Sequence, residues 1–284
     1  MIIVGTAGWT LPRSAGREFP DSGSHLSRYS RVLHGTEINS SFTRSHSTKT
    51  YAKWAKSTPR GFRFAVKMNQ AITHDARLKR ARKPLEQFLT EVTGLGSKLG
   101  PLLVQLPPSL EFDSRVAGTF FDLIRQLHAG AIVCEPRHAS WFTHQANNLL
   151  IEHHIGRVAA DPASPDAASG PGGWLGPRSS RRSKTGSTAV DAERNSNTEV
   201  QTAVYYRLHG TPRRYWSVYT PDQIERWARG LRAVPSGSQT WCIFDNTAGG
   251  GAIEKMRCRR RIESARLLCE MQRTQQSHVA CPSR

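Results

Sequence analysis

The sequence predicts a (β/α)8 barrel of the TIM type, with a long low-complexity insertion between its sixth and seventh strands. Three observations predict this fold. Eight short apolar runs recur along 284 residues, helical periodicities separate them, and polar side chains end nearly every run. An open doubly wound sheet is the alternative that fits the same alternation. In both folds we expect ligand binding or catalysis at the carboxyl ends of the strands.

The strand-like runs are short and rich in aliphatic and aromatic residues, which favours strands over helices. They cover residues 2–4, 36–39, 62–67, 102–108, 131–135, 156–161, 204–210 and 240–246. The first run leads into a glycine-bearing turn, Gly5-Thr6-Ala7-Gly8. The fourth stops at Pro107-Pro108, since proline cannot donate a hydrogen bond to a neighbouring strand.

Apolar residues at three- and four-residue spacing predict a helix after most of these strands. The predicted helices lie near residues 26–33, 51–55, 85–99, 116–127, 149–151, 224–231 and 262–269. The helix near 51–55 ends at Thr58-Pro59, because the residue before proline avoids helical geometry. The helix near 85–99 is the best defined, since Pro84 suits a first helical turn and Gly100-Pro101 ends the pattern.

The composition of the chain changes abruptly at residue 162. From 162 to 198 the sequence is rich in Ser, Gly, Pro, Ala and Arg, and Trp174 and Leu175 are its main large apolar residues. Such a segment buries too little apolar surface to offset its ordering entropy, so we predict a disordered insertion. The polar tail 273–284 is predicted to be disordered as well. The sequence is thus predicted to form a single barrel domain over residues 1–272.

The bulk composition limits the classes of protein. A net charge of +18 is compatible with nucleic-acid binding, but the basic residues are spread along the chain, which favours a solvated basic surface. No apolar run approaches the roughly 18 residues of a membrane span. Five widely spaced cysteines without a CxxC pair predict neither a disulfide framework nor a zinc ribbon. We therefore expect a cytoplasmic protein that does not enter a membrane.

The polar strand ends are the main functional signal, because a barrel gathers them at one mouth. The candidate catalytic residues carry carboxylate or imidazole groups suited to proton transfer: Glu37, Glu135, His138 and His209. The candidate substrate-binding residues are Asn39, Lys67, Gln105, Arg137, Trp141, Asp161, Arg207, Asp245, Asn246 and Gly250. Gly250 belongs to a triple glycine after the last strand, where many barrels bind phosphate.

Several interpretations of these residues remain open. Arg137, Arg207 and Lys67 suit a small anionic substrate, phosphorylated or sugar-like, in a hydrolase, lyase or isomerase that uses acid/base chemistry. A divalent metal is possible, but no HxH or HExxH spacing supports one, and the sequence identifies no cofactor. A network of buried ion pairs without catalysis is the less favoured interpretation of the charged groups. The alternative function is a non-catalytic, nucleic-acid-associated protein that uses its diffuse positive charge. The oligomeric state is left open.

The motifs also resemble a known family. In order along the chain, the motifs are VGTAGW, EINSSF, TPRGFRFAVK, ITH, KLGPLLVQLPPSL, EPRHASW, AAD, YYRLHG and FDNTAGGGA. They are similar to signatures of the YecE-like family, a domain of unknown function found widely in bacteria and archaea. The resemblance covers residues 2–252 apart from the insertion, and it implies a TIM-like barrel without implying an activity. The chain departs from the family pattern at Thr43, at His46, at Lys255-Met256 and in the Arg-rich segment 257–261.

Overall fold

The computed structural model describes residues 2–11, 19–175, 203–232, 234 and 239–247. They form a mixed α/β fold with parallel sheets, as the alternation of strand and helix patterns predicts. The strands are β1 (Ile2–Thr6), β2 (Gly35–Ile38), β3 (Arg63–Lys67), β4 (Leu99–Gln105), β5 (Ile132–Glu135), β6 (Gly156–Arg157), β7 (Ala159–Asp161), β8 (Gly172–Gly173), β9 (Ala203–Leu208) and β10 (Gln239–Phe244). The helices are α1 (His25–Tyr29), α2 (Thr48–Lys56), α3 (Arg82–Val92), α4 (Ser114–Leu127), α5 (His144–Glu152) and α6 (Pro221–Arg232).

Side-chain caps define where some of these helices begin. Asp113 accepts a hydrogen bond from the backbone N–H of Val116 at the start of α4, and Ser47 accepts one from the N–H of Thr50 at the start of α2. Each cap satisfies a backbone donor that the helix itself leaves free. The buried residues of α4 are Ala117, Phe120, Phe121 and Ile124, whereas Val116, Leu123 and Leu127, which the apolar spacing predicts with Phe120 and Ile124, are only partly buried.

The strands are arranged in two sheets, with the orders β1-β10-β9-β7 and β2-β3-β4-β5-β6-β8. The pairings are parallel, apart from the antiparallel pairing of β6 with the two-residue β8. Parallel neighbours require crossover connections, and the helices between the strands supply them. None of the helices in the described ranges has both the length and the apolar character that a bilayer crossing requires.

β1 and β2 lie side by side at a first seam between the two sheets. Ala7 and Glu37 form a parallel bridge, and the N–H of Gly8 donates to the carbonyl oxygen of Glu37 at 2.8 Å. The backbones are so close that a Cβ on Gly5 would lie 2.2 Å from the carbonyl oxygen of Gly35. Glycine at this position therefore permits the approach of the two strands.

A second seam divides the predicted sixth strand, 156–161, into β6 and β7. β6 pairs with β5 in one sheet, whereas β7 pairs with β9 in the other. Between them, the N–H of Val158 donates to the carbonyl oxygen of Cys134 at 2.9 Å. A change of pairing partner therefore divides this strand, and the residue pattern carries no signal for such a change.

Two other elements differ from their predicted form. The helix predicted near 85–99 ends at Val92, a 3-10 helix over Thr93–Lys98 follows it, and Gly96 there has φ 54°. The predicted insertion 162–198 is described as far as residue 175, and this part contains β8 and the 3-10 helix Asp166–Ser169. Residues 176–198, the predicted helix near 262–269 and the tail 273–284 lie outside the described residues.

Both sheets contribute to one inner apolar cluster, which consists of Ile3, Ala7, Ala65, Leu103, Ala131, Val133, Val158, Ala203, Tyr205, Trp241 and Ile243. Its members recur at every second strand position, as one face of a strand requires. The opposite faces pack against the helices, with α6 on the first sheet and the earlier helices mainly on the second. The longer strands are therefore buried on two faces, which explains the near-continuous apolar runs in the sequence.

Two glycines make room for Trp241 in the inner cluster. Trp241 is fully buried and stacks with Tyr205 at a centroid distance of 6.0 Å. A Cβ on Gly100 would lie 2.5 Å from Cζ2 of Trp241, and a Cβ on Gly35 would lie 3.2 Å from its Cζ3. Close packing against the indole therefore requires the absence of a side chain at both positions.

We expect Gly100→Ala to lower the free energy of unfolding by about 1–3 kcal/mol, because the added methyl overpacks the inner cluster. Urea denaturation measures this change. Gly61→Ala is the matched control, since a Cβ there meets nothing within 4 Å, and it should change stability by less than about 0.5 kcal/mol. Equal stability of the two variants would contradict the packing described for Trp241.

Candidate functional site

The inner face changes from apolar to charged at the carboxyl ends of the strands. Six polar or charged side chains lie two positions after the last inner-cluster residue of their strand or, on β2, two positions after Gly35. Because strand side chains alternate between faces, these six point to the same side as the inner cluster. They are Glu37, Lys67, Gln105, Glu135, Arg207 and Asp245, and each is at most 7% exposed. The structure thus brings together six of the residues that the sequence nominates, and it draws them from both sheets.

Arg207 is the centre of this group and is fully buried. Its Nε donates to Oε2 of Glu37 at 3.0 Å and its Nη2 to Oε1 at 2.8 Å, which is a bidentate pair. Its Nη1 donates to Oε2 of Glu135 at 2.6 Å, and its Nη2 also donates to Oδ2 of Asp245 at 2.9 Å. Tyr205, which sequence reasoning missed, donates its hydroxyl to Oε2 of Glu37 at 2.9 Å. Both carboxylate oxygens of Glu37 therefore accept hydrogen bonds from buried donors.

Glu135 and Asp245 connect Arg207 to two further groups. His209 faces both carboxylates, with Nδ1 at 3.0 Å from Oδ2 of Asp245 and Nε2 at 3.2 Å from Oε1 of Glu135. Both contacts are hydrogen bonds at the same time only when both ring nitrogens carry a proton. Arg137 adds Nε and Nη2 contacts of 3.3 Å and 3.2 Å to Oε1 of Glu135. These residues, Glu37, Glu135, Arg137, Arg207, His209 and Asp245, are called the ionic network below.

The ionic network sets its own protonation states. Burial alone would raise the pKa of Glu135 and of Asp245, but Arg207 and His209 overcome this effect, with help from Arg137 at Glu135. The pKa of both carboxyls is therefore lowered. Burial opposes the charge of Arg207 as well, yet its carboxylate neighbours hold its pKa above the ordinary value. These two carboxylates and the Arg207 guanidinium are thus ionised at neutral pH.

Lys67 lies beside the ionic network without joining it. The side chain is 7% exposed, and Nζ lies 3.8 Å from the centroid of the Phe42 ring. No hydrogen-bond acceptor contacts Nζ within the part of the chain that the structure describes. Burial and then Arg207 lower the pKa of Lys67 to about 8, although the three network carboxylates oppose this shift. The amine therefore loses its proton far more readily than an exposed lysine.

Two loop residues that were not among the site candidates complete the surroundings of Lys67 and Arg137. His74, in a π-helical turn over Ala71–Asp75, contacts Phe42 at a centroid distance of 4.9 Å. Burial and then Lys67 and Arg137 lower the pKa of His74, so its ring is neutral at neutral pH. Tyr215 packs its ring edge against His209 at 5.6 Å and has φ 67°. A positive φ outside glycine is uncommon and is often found at functional sites.

His138 and Trp141 are placed differently from the other candidates. Nδ1 of His138 lies 2.8 Å from the hydroxyl of Ser140. The same side chain accepts a hydrogen bond from the backbone N–H of Ser140 and so caps the start of the 3-10 helix Ala139–Phe142. Trp141 is 1% exposed and donates Nε1 to the carbonyl oxygen of Leu110 at 3.0 Å. It lines a cavity of about 250 Å³, and none of the ionic network lines this cavity. Both residues thus make local structural contacts.

The remaining candidates lie near the strand ends with fewer contacts. Asp161 accepts a hydrogen bond from the hydroxyl of Thr211 at 3.0 Å. Asn246 donates Nδ2 to the carbonyl oxygen of Ser217, and its buried Oδ1 has no partner among the described residues. Asn39 precedes the 3-10 helix Ser40–Phe42 without capping it, and Gln105 pairs in register with Glu135. Gly250 lies outside the described residues.

The donor set at the strand ends does not fit a metal ion. The carboxylate oxygens of Glu37 and Glu135 face guanidinium and imidazole groups, which occupy the positions of a cation. Within the described ranges, no group of three His, Cys, Asp or Glu side chains is arranged to hold a metal.

We expect Lys67→Met to raise the free energy of unfolding at pH 7 by at most about 3 kcal/mol, because the folded state holds a buried ammonium with a lowered pKa. The buried ammonium of Lys67 destabilises the folded protein at pH values below its folded pKa of about 8. This destabilisation decreases as the pH rises from about 8 towards the unfolded pKa of 10.5, because the folded state then holds a neutral amine. The free energy of unfolding of the wild-type protein, measured by urea denaturation, should therefore rise over this pH range relative to that of Lys67→Met.

Lys98→Met is the contrasting variant for this measurement. Nζ of Lys98 donates to the carbonyl oxygens of Ala55 and Thr58 at 2.6 Å each, so its loss should destabilise the fold. A lower stability of Lys67→Met at pH 7, comparable to that of Lys98→Met, would show that Lys67 contributes to folding as an ordinary buried lysine.

Comparison with known proteins identifies a family and several relatives. A family model described as "Protein of unknown function DUF72" matches residues 3–276. The chain is similar to UPF0759 protein YunF of Bacillus subtilis (strain 168), with 23% identity over 278 residues, 89% of this chain and 92% of YunF. It is also similar to UPF0759 protein YecE of Escherichia coli (strain K12), with 26% identity over 107 residues, 38% of each chain.

Solved structures support the same relationship at the level of the fold. A DUF72 family protein of Enterococcus faecalis V583 has a TM-score of 0.69 and 18% identity, over 92% of this chain and 95% of that chain. A DUF72 family protein of Thermotoga maritima MSB8 has a TM-score of 0.69 and 21% identity, over 93% and 99%. The YecE-like resemblance of the sequence motifs is thus confirmed. Because the family model matches nearly the whole sequence, the chain belongs to the DUF72 family of proteins of unknown function.

Proposed function

We propose that the two sheets close into an eight-stranded (β/α)8 barrel within one domain, residues 1–272. The bridge between Ala7 and Glu37 supports closure at one seam, and the hydrogen bond from Val158 to Cys134 supports it at the other. The shared inner cluster supports it further, since strands of both sheets contribute to it. In this arrangement β6 and β7 together act as the sixth barrel strand, and the ionic network lies at the mouth.

We propose that the protein is an enzyme that binds a small anionic substrate, phosphorylated or sugar-like, at this mouth. The observation that carries the proposal is the amine of Lys67, which belongs to a side chain 7% exposed, lies beside three carboxylates and is paired with none of them. A largely desolvated charge without a partner is costly, and an anionic ligand would offset this cost. The ionic network already satisfies its own carboxylates, so Lys67 is left for a ligand.

The charges of the site favour an anion. Arg137, Arg207 and Lys67 balance the carboxylates of Glu37, Glu135 and Asp245, and His209 contacts two of these carboxylates. Arg137 is the cation of the network that retains the most exposure, with 18% of its side chain accessible against 1% for Arg207. An anionic group of the substrate therefore binds to Arg137 and Lys67, which offer a fork and a point charge.

The roles of the candidate residues follow from their contacts. Glu37, Glu135 and Asp245 are positioning residues, because their hydrogen bonds hold Arg207, Arg137 and His209. Proton transfer falls to Lys67 and to the neutral ring of His74, whose pKa values both lie below their ordinary ones. Asn39 and Gln105 supply amide groups for substrate orientation. Such a set suits a hydrolase, lyase or isomerase with acid/base chemistry.

We further propose a reducing, cytoplasmic location. Cys134 and Cys242 are buried free thiols, and burial raises the pKa of each of them. They remain protonated and inert under physiological conditions, as structural core cysteines do.

Association with nucleic acid is a second candidate function, and the loop after β9 is the feature that favours it. Trp216 is 48% exposed there, and the guanidinium of Arg213 lies 4.8 Å from its ring centroid. A basic residue beside an exposed aromatic ring suits a phosphate and a stacked base.

The anionic-substrate proposal predicts that inorganic phosphate binds at the barrel mouth and that Arg137→Ala weakens its affinity at least tenfold, through loss of the bidentate donor. Isothermal titration calorimetry measures this affinity. Arg82→Ala is the matched control, because Arg82 is exposed and pairs only with Glu86 among the described residues, so phosphate affinity should not change. Unchanged affinity in both Arg137→Ala and Lys67→Met would disprove the proposal.

The nucleic-acid candidate predicts that an oligonucleotide binds with an affinity that falls at least tenfold between about 50 and about 200 mM salt. It also predicts a loss of affinity in Trp216→Ala, because base stacking contributes about 1–3 kcal/mol. Fluorescence anisotropy with single-stranded DNA of arbitrary sequence measures both effects. No binding at low salt eliminates this candidate.

A further inference from the structure

We propose that Lys67 forms an imine with a small aldehyde or ketone that carries an anionic group. This inference rests on the proposed function, since it names the substrate class and the covalent step for the same site. It assigns the carbonyl carbon to Nζ of Lys67 and the anionic group to Arg137.

The amine of Lys67 makes no hydrogen bond to another described residue. Nζ of Lys67 contacts the face of Phe42 and has no acceptor among the described residues, whereas the neighbouring carboxylates are held by Arg207, Arg137 and His209. Lys98 shows the ordinary alternative in the same chain, because its Nζ donates three hydrogen bonds of 2.6 to 2.9 Å. An amine without such bonds is free to attack an electrophile.

The lowered pKa of Lys67 makes its amine more nucleophilic at neutral pH. A lysine is a nucleophile only when it is neutral, and burial and Arg207 lower the pKa of Lys67 to about 8. Roughly a tenth of the amine is then neutral at pH 7, against well under a thousandth of an exposed lysine. The position therefore gains reactivity from two features of the fold, burial at a strand end and the neighbouring guanidinium.

Imine formation at Lys67 balances in atoms and in charge. The Nζ lone pair forms a bond to the carbonyl carbon, the carbonyl oxygen takes up protons and leaves as water, and a protonated imine remains. Ammonium and carbonyl thus become iminium and water, so the charge at Lys67 is unchanged. The carboxylates of Glu37, Glu135 and Asp245, which act on the ammonium, act on the iminium as well. The neutral ring of His74 is available to move the protons.

Reductive trapping tests the proposal in the full-length protein. Glyoxylate, a small anionic aldehyde, is incubated with the protein and sodium cyanoborohydride, and peptide mapping by mass spectrometry measures the extent of labelling at each lysine. We expect Lys67 to be labelled at least tenfold faster than Lys98 or the exposed lysines, and inorganic phosphate to protect it. Arg137→Ala should slow the labelling of Lys67 at least tenfold.

The outcomes separate this inference from the proposed function. Phosphate binding that depends on Arg137, together with labelling of Lys67 no faster than that of exposed lysines, overturns the imine and retains the anion site. No phosphate binding and no protection by phosphate overturn both. Lys67→Arg, which keeps the charge and cannot form the imine, must fold and lose the fast-labelled site. If fast labelling persists in Lys67→Arg, it belongs to another residue and the proposal fails.

Discussion

The buried guanidinium of Arg207 is the constraint on which the rest of the site depends. A charge in the interior is tolerated only with excellent pairing, and Arg207 obtains it from Glu37 and Glu135 in one sheet and Asp245 in the other. These bonds connect strands of both sheets at the level where the apolar inner cluster ends. Loss of one partner would leave an uncompensated charge in the core, so the positions of these strand ends are mutually fixed.

This pairing also determines which groups are free for chemistry. Glu37 and Glu135 are carboxylates of the kind that perform general base catalysis, yet their oxygens already accept hydrogen bonds from Arg207 and other donors. Lys67, at the end of β3, lies beside these groups, and its Nζ contacts Phe42 and pairs with no carboxylate among the described residues. Burial and the neighbouring guanidinium of Arg207 lower the pKa of this amine to about 8.

Much of the fold was predictable, because its signals are local. The alternation of strands and helices and the polar strand ends follow from periodicity and from proline and glycine positions. The division of the sixth strand at Val158 was not predictable, because it arises from a change of partner between β5 and β9. Likewise, His138 and Trp141 follow a strand end as the site residues do, but local bonds to Ser140 and Leu110 hold them.

The sequence by itself determined which polar residues end the strands and where strands and helices alternate, because both depend on neighbours a few positions away. Only the tertiary structure decided which charges neutralise one another. Glu37 and Arg207 are 170 positions apart, and no local pattern indicates that they form a bidentate pair while Lys67 stays unpaired. The reason is physical, since ion pairing depends on distances across the core, and these exist only once strands distant in sequence have been brought together.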